Sequence, residues 1–370
     1  MPHNKTITYM KATAIILMVL CHAWHIDVLF EVVYMFHMPL FFIVSGYCFK
    51  DKYLQKPLLF IWRRMTGLWW PYVKWSLFFL VFHNVFCHLN IYNSKYGSKA
   101  YSQDLYTLQD FANNAINIFY HMTGSESLLL GFWFLKALFF GSIIGYVVLF
   151  VCYWLAQKIK CNITRITIVG GLIVFFLCIA INYVHKTFTV MYIGPVHLMA
   201  AMFFIVGHCL AIMKVPQFNT WQLIISFGFV VVNSFYSMMP PGGPFYDNYK
   251  LIPYMVTAIF GTWCIYSFPW HIIKGSMAKF MQYVGEHTLT ILIWHLLSFK
   301  VISLMIVIVY GLCVQHLAEF PSIAEYSDKG WGVIYTATGV ALPLLMIYSY
   351  ESVKAGIKAV VNNLFLRHTS

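Results

Sequence analysis

Apolar stretches, each about as long as a bilayer is thick, alternate with short polar segments along the whole chain. A helix needs about 20 apolar residues to cross the hydrocarbon core of a membrane. The strands of a membrane barrel would instead alternate in hydrophobicity over about ten residues. The pattern therefore predicts an all-α, polytopic membrane protein with about ten transmembrane helices. The predicted spans are 6–28, 31–49, 67–89, 129–156, 166–184, 194–213, 219–238, 250–273, 287–310 and 330–350.

Composition supports the same class. The chain is 61% hydrophobic and 10% charged, against about 45–50% and about 25% in soluble domains. The first apolar stretch is too long for a cleaved signal peptide and carries histidines where a cleavage site would need small residues. No linker interrupts the succession of spans, so we predict a single domain over residues 1–370.

The basic residues predict how the chain is oriented. When both termini are placed inside, most of the 24 Lys and Arg residues fall in inner segments, as the positive-inside rule requires. This rule accounts for the net charge of +12 without a nucleic-acid partner. The predicted topology is N-in and C-in, with a long outer loop at about 90–128 and a basic inner tail at about 351–370.

Two ionisable residues share one face of the first predicted span. Lys11 and His22 are eleven positions apart, which places them within about 20° of the same helical face and about 16 Å apart along the axis. His25 follows one turn later. Ionisable side chains at membrane depth are costly and usually mark a pathway or reaction site. A lone histidine there can also be a core residue that bonds a neighbouring carbonyl, but the shared face favours chemistry at His22, with His25 in the same cavity.

The second span supplies two further candidates. His37 precedes Pro39, and a proline at this depth should kink the helix and free backbone groups. His37 is therefore the second catalytic or acceptor-binding candidate. Ser45 and the glycine that follows it are small enough to permit a close approach between helices, so helix packing is the leading interpretation of Ser45. The alternative is that Ser45 lines the substrate cavity.

Later spans add four residues to the predicted substrate cavity. His295 lies near the middle of the ninth span, and Lys300 follows five positions later. Both side chains must face protein or water at that depth, so we expect them to line one cavity. Trp133 and Lys136 lie one turn apart and would add an aromatic wall and a cation, although packing and snorkelling explain them equally well.

Five motifs, in this order, resemble the acyltransferase-3 family of integral membrane enzymes, close to its fucose-4-O-acetylase-like branch. The clearest is the second-span sequence FHMPLFFIVSGY at 36–47. The others are the Lys11–His22 spacing, the basic approach to the third span at 62–72, GFWFL at 131–135 and GEHTLTILIWH at 285–295. The resemblance covers essentially the whole chain. One departure is Lys11, where the family often has arginine. An arginine can bind a phosphate through two parallel hydrogen bonds, whereas a lysine provides a point charge.

The resemblance implies a membrane O-acyltransferase that moves an acetyl group from acetyl-CoA to a hydroxyl of a surface glycan or glycolipid. It also implies a bacterial cytoplasmic membrane. His22 would be the base or the acyl carrier, since a neutral histidine suits either role near neutral pH. Lys11, Arg63 and Arg64 would hold the donor phosphates, although a basic inner loop also satisfies topology alone.

Alternatives remain open at the level of sequence. An exporter of polysaccharide or lipid that couples to protons would also use an intramembrane His and Lys cluster, and an acyltransferase for lipids or proteins is a further option. The sequence shows no internal repeat of the kind common in transporters. It also shows no CxxC pair, no HExxH, no Walker A loop and no GxSxG elbow, so no metal site, ATPase or soluble-type hydrolase is predicted. The oligomeric state is open, with a dimer as one option.

Overall fold

The computed structural model describes residues 5–24, 26–101, 103–184, 192–237 and 248–367, and α-helices dominate these residues. The helices in chain order are α1 Lys5–Ala23, α2 Asp27–Tyr34, α3 His37–Tyr47, α4 Pro57–Arg64, α5 Trp70–Val81, α6 His83–His88, α7 Leu108–Ile116, α8 Trp133–Ile159, α9 Ile163–Tyr183, α10 Pro195–Ile212, α11 Thr220–Ser237, α12 Asn248–Ser267, α13 Gly275–Glu286, α14 Thr288–Tyr310, α15 Ala324–Tyr326 and α16 Gly332–Arg367.

Within the described residues, eight helical segments are long and apolar enough to cross a membrane. This confirms the all-helical membrane class. The predicted spans 67–89 and 219–238 are not among the eight, because the first is divided at Phe82 and the second carries Gln222, Asn233 and several hydroxyl residues. The count of ten and the N-in, C-in orientation therefore stay predictions.

The two ends of the bundle differ in character. One end, here called the basic face, carries the start of α1, the 3₁₀ turn Asp51–Tyr53 and α4 with its two arginines. The opposite end, here called the loop face, carries α6, α7 and the segment between α14 and α16. α1 runs without interruption from the first end to the second, so Lys11 and His22 lie on one continuous helix, as the sequence predicts.

The second crossing is broken in two. α2 ends at Tyr34 and α3 begins at His37, so the break lies ahead of Pro39 rather than at it. Pro39 is the third residue of α3, in the first turn, where a missing N–H removes no intrahelical bond. The Nδ1–H of His37 donates to the carbonyl oxygen of Val33 at 2.8 Å and so adds a hydrogen bond across the break.

A π turn at Met65–Trp69 joins α4 to α5. Pro71 follows directly, at the second position of α5, and an irregular turn before a proline accommodates its missing N–H and its bulky ring. π turns of this kind recur at functional sites. Here, Gly67 and Leu68 of the turn line an internal cavity.

Close backbone packing holds α3 against α10. A Cβ atom added to Gly46 would lie 1.8 Å from the carbonyl oxygen of Phe204, and one added to Gly207 would lie 2.0 Å from that of Ile43. Small residues at such a crossing let two membrane helices approach through their backbones. The contact fixes the face of α3 that carries Ser45.

We predict that Gly46→Ala lowers stability markedly, because the new methyl group forces α3 away from α10. Overpacking of this kind costs about 1–3 kcal/mol, which should lower the midpoint of thermal unfolding in detergent by several degrees. Gly228→Ala on α11 is the matched control, since a Cβ there meets nothing within 4 Å. An equal response from the two variants would contradict the packing account.

Candidate functional site

Two histidines from distant parts of the chain meet inside the bundle. Nδ1 of His22, at the end of α1, lies 3.1 Å from Nε2 of His295 on α14. The rings are nearly parallel, with an interplanar angle of 12° and centroids 5.3 Å apart. His295 is fully buried, whereas His22 is partly buried. We call these two residues the histidine pair.

The backbone around His295 determines where the protons of the pair lie. Nδ1 of His295 is 3.1 Å from the carbonyl oxygen of Ile291 and 3.0 Å from that of Leu292. Carbonyl oxygens only accept, so this nitrogen carries the proton. Nε2 of a neutral His295 is then an acceptor, and the Nδ1–H of His22 donates to it. Nε2 of His22 is consequently left with its lone pair, which a base or a nucleophile requires.

His37 has the same tautomer for a similar reason. Its Nδ1–H is committed to Val33, and the ring is 2% exposed and packs against Tyr34 at a centroid distance of 5.0 Å. The ring lies within electrostatic range of His22. The structure thus places both predicted catalytic histidines in one region and gives His37 a structural bond at the break between α2 and α3.

An apolar chamber of about 230 Å³ lies next to the histidine pair, between α1, α3, α8 and α14. Met18 and Leu292 line it, and they lie about one helical turn before His22 and His295 respectively. Lys11 and Ser45 line the chamber as well. Most of the remaining wall is aliphatic or aromatic: Ile15, Met38, Phe41, Val44, Leu68, Phe134, Leu135, Leu138 and Leu289.

A second cavity, here called the basic pocket, has a volume of about 310 Å³ and adjoins the chamber at the basic face. Lys11, Val44 and Ser45 line both cavities. Arg63 and Arg64 also line the basic pocket. The structure therefore brings together the three cations that the sequence analysis assigned to the donor phosphates.

Aromatic side chains hold the two arginines in place. Arg63 donates from Nη1 to the hydroxyl of Tyr53 at 2.7 Å and stacks over the same ring. The guanidinium of Arg64 lies over Phe60 at 4.8 Å and over Phe204 at 5.8 Å. Burial lowers the pKa of Arg64 to about 10, so it stays charged at neutral pH.

Among the residues that the structure describes, the charge of the basic pocket is not balanced by an ion pair. In the described part of the chain, Arg63 and Arg64 make no ion pair with a carboxylate, and Lys11 has Glu286 only within electrostatic range. The hydroxyl oxygen of Ser45 is buried without a hydrogen-bond partner among these residues. Three cations and one unpaired hydroxyl thus face cavities that can accept an anion and a polar chain.

Trp133 and Lys136 line a third cavity rather than the chamber. This loop-face pocket has a volume of about 250 Å³, and Tyr72, Tyr101 and Glu126 also line it. Phe134 and Leu135, on the other side of the same turn of α8, line the chamber. The first turn of α8 therefore forms a wall between the two cavities.

Two other predicted cavity residues, His295 and Lys300, line none of the three cavities. Lys300 donates from Nζ to the carbonyl oxygen of Glu319 at 2.6 Å and so ties α14 to the loop-face segment. His25 lies outside the described residues. His83, which pairs with Glu126 at 3.1 Å, is not among the predicted site residues. Its position in the sequence could have identified it as a candidate, because His83 is an ionisable residue inside the predicted span 67–89.

The comparisons with known proteins agree with the class of this site. The family model described as an acyltransferase domain, acyltransferase-3, matches residues 4–348. Comparisons with curated proteins and with solved structures give no match. The match spans nearly the whole chain, including every residue of the chamber, the basic pocket and the histidine pair.

We predict that His22 carries its proton on Nδ1. The measurement is nitrogen-15 solid-state NMR on histidine-labelled protein in lipid, with the His22 signals identified by their loss in His22→Gln. An Nε2-protonated ring would contradict the tautomer derived from the bonds of His295. Replacing His295 with Phe, which removes the acceptor, should abolish the preference for the Nδ1 proton.

Proposed function

The chain belongs to the acyltransferase-3 family, and from that premise we propose that it is a membrane O-acetyltransferase. It takes an acetyl group from acetyl-CoA and transfers it to a hydroxyl of a glycan or glycolipid in the bacterial cytoplasmic membrane. One observation carries the proposal: the basic pocket, the chamber and the histidine pair follow one another along α1. They supply an anion site, an apolar passage and a base, in that order.

The residues fit the chemistry of this donor. Acetyl-CoA carries phosphates at one end and a thioester at the other, joined by a long arm with two amides. Lys11, Arg63 and Arg64 would hold phosphate oxygens, and Ser45 would bond an amide where the basic pocket meets the chamber. Lys11 and His22 are about 16 Å apart along α1. The arm of acetyl-CoA would have to span this distance for the thioester to reach His22.

In the general-base route, Nε2 of His22 accepts the proton of the acceptor hydroxyl. The hydroxyl oxygen attacks the thioester carbonyl carbon, the carbon–sulfur bond breaks, and the departing sulfur takes the proton from Nε2. His22 becomes positively charged between these two proton transfers. Its Nδ1–H then makes a charge-assisted bond to Nε2 of His295, which stabilises the transient cation.

In the acyl-carrier route, Nε2 of His22 attacks the thioester carbon itself. The carbon–sulfur bond breaks, coenzyme A leaves as a thiolate, and the acetylated imidazole keeps its Nδ1–H and carries a positive charge. In the second step the acceptor hydroxyl oxygen attacks the acetyl carbon, the bond to Nε2 breaks, and the hydroxyl proton passes to the thiolate. Both routes need the same lone pair and the same hydrogen bond to His295. An acetylated His22 that accumulates when acceptor is withheld would identify the second route by intact-protein mass spectrometry.

A sugar hydroxyl is the acceptor that the observations favour. The motifs resemble the fucose-4-O-acetylase-like branch, and the loop face presents a pocket lined by Tyr72, Tyr101 and Trp133, whose faces suit the apolar faces of sugars. The donor would bind at the basic face, where Lys11, Arg63 and Arg64 lie. The two substrates would then approach from opposite ends of the bundle.

We predict that His22→Ala lowers the rate of acetyl transfer by about 10²–10⁴-fold, the usual contribution of a general base, and leaves acetyl-CoA binding nearly unchanged. The measurement is the transfer of radiolabelled acetyl from acetyl-CoA to glycan or glycolipid material in membranes that contain the protein. His271→Ala, at an exposed position, is the matched control. Wild-type turnover in a folded His22→Ala sample would refute the proposed role of this residue.

We predict that Arg63→Ala/Arg64→Ala weakens acetyl-CoA binding by about tenfold or more, because each charge-assisted bond is worth about 1.5–3 kcal/mol. Isothermal titration of the purified protein in detergent measures the effect. The control is Lys158→Ala/Lys160→Ala, which removes two exposed cations from the end of α8 but leaves the basic pocket intact.

The same titration distinguishes the proposal from its main rival. If the folded wild-type protein does not bind acetyl-CoA, the donor is different or the protein is a transporter. Proton movement into liposomes, with no acyl donor present, would then favour the transporter. Binding that the arginine variant weakens and the lysine control does not would support the basic pocket as the donor site.

A further inference from the structure

Lys136 is a buried cation in the loop-face pocket whose charge is not balanced by any described part of the chain. Its side chain lies on the first turn of α8 and is 9% exposed. Its ammonium group lies 5.8 Å from the centre of the Tyr192 ring, and no carboxylate in the described residues makes an ion pair with it. Burial of an uncompensated charge is costly, so the pocket is suited to a ligand that brings the missing negative charge.

Glu126, which lines the same pocket, does not supply that charge. Nε2 of His83 lies 2.9 Å from the carbonyl oxygen of Asp104, so this nitrogen must donate. Nδ1 of His83 lies 3.1 Å from both carboxyl oxygens of Glu126, and one proton is shared across this contact. Whether the proton belongs to the imidazole or to the carboxyl group, the two residues together carry no net charge.

A second ionisable neighbour of Lys136 is neutral as well. His197 lies within electrostatic range of Lys136, and its Nδ1 accepts a hydrogen bond from the backbone N–H of Gly194 at 3.0 Å. An accepting Nδ1 leaves His197 with a single proton, on Nε2. Among the described groups around the pocket, the charge of Lys136 therefore remains as a net +1.

The rest of the pocket matches a sugar ring. Tyr72, Tyr101 and Trp133 provide aromatic surface, while Ser76, Thr123 and the Glu126 carboxyl provide polar atoms. The volume of about 250 Å³ lies near the lower limit of about 300 Å³ for ligand pockets, which suits one ring rather than an oligosaccharide. A phosphate monoester carries a charge of about −1.5 to −2, so a carboxylate balances Lys136 better.

We propose that the loop-face pocket binds a sugar that carries a carboxylate, as a uronic acid does, and that Lys136 pairs with this group. The inference rests on the proposed function and specifies its acceptor. Trp133 and Lys136 face this pocket, whereas Phe134 and Leu135 of the same turn face the chamber. The acceptor therefore binds on one side of the first turn of α8, and the cavity assigned to the donor lies on the other side of that turn.

The test is the midpoint of thermal unfolding of the purified protein in detergent with four probes: the methyl glycosides of glucuronic acid, galacturonic acid, glucose and galactose. At concentrations about tenfold above its dissociation constant, at least one uronide should raise the midpoint of the wild-type protein by about 2 °C. The two neutral glycosides should give a clearly smaller shift, because neither carries a charge that pairs with Lys136.

Variants assign the effect to Lys136. Lys136→Met keeps the length of the side chain without its charge and should abolish the preference for the uronide, and Lys136→Arg should retain it. Lys74→Met removes an exposed cation on α5, outside the pocket, and should behave as wild type. Acetyl-CoA binding by every variant, measured on the same samples, shows that the proteins are folded.

Three results would overturn the inference: no shift with either uronide, an equal shift with the neutral glycosides, or a preference that persists in Lys136→Met. Failure of the proposed function would look different, because it would appear as a wild-type protein that does not bind acetyl-CoA. A protein that binds acetyl-CoA but prefers neutral glycosides would keep the acyltransferase proposal and refute only the carboxylate.

Discussion

A histidine buried among membrane helices must find a partner for its ring N–H, and this requirement organises the site. His295 meets it with the carbonyl oxygens of Ile291 and Leu292 one turn earlier on α14. That bond makes Nε2 of His295 an acceptor, which in turn orients the proton of His22. A local feature of one helix thus determines which nitrogen of His22 on another helix keeps its lone pair, much as the orienting carboxylate fixes the tautomer of the histidine in hydrolase triads.

The second organising feature is positive charge that has no ion-pair partner within the described segments. Lys11, Arg63 and Arg64 gather at one end of the chamber, and Lys136 lies in a separate pocket near the opposite end. Lys136 is buried, Lys11 and Arg64 are partly buried and Arg63 is exposed. Desolvating such a charge costs free energy that an ion pair would offset, which supports the proposal of two anion sites at opposite faces, with the histidine pair near the region between them.

Periodicity alone predicted the apolar class of the spans and the shared face of Lys11 and His22, because both depend on one helix at a time. The partnership of His22 with His295 could not be predicted, since 273 positions separate the two residues. The same limit explains Lys300, whose partner Glu319 is contributed by the loop that follows α14. The placement of Trp133 and Lys136 in a pocket separate from the chamber could not be predicted either, because sequence spacing does not say which cavity a helix face adjoins.

The most direct test of the central claim is a cryo-electron microscopy structure of the protein with an acetyl-CoA analogue in which a methylene group replaces the thioester sulfur. We expect phosphate density against Arg63 and Arg64, the arm beside Ser45 in the chamber, and the acetyl carbonyl carbon next to Nε2 of His22. An acetyl group bound away from His22, or phosphates bound outside the basic pocket, would contradict it.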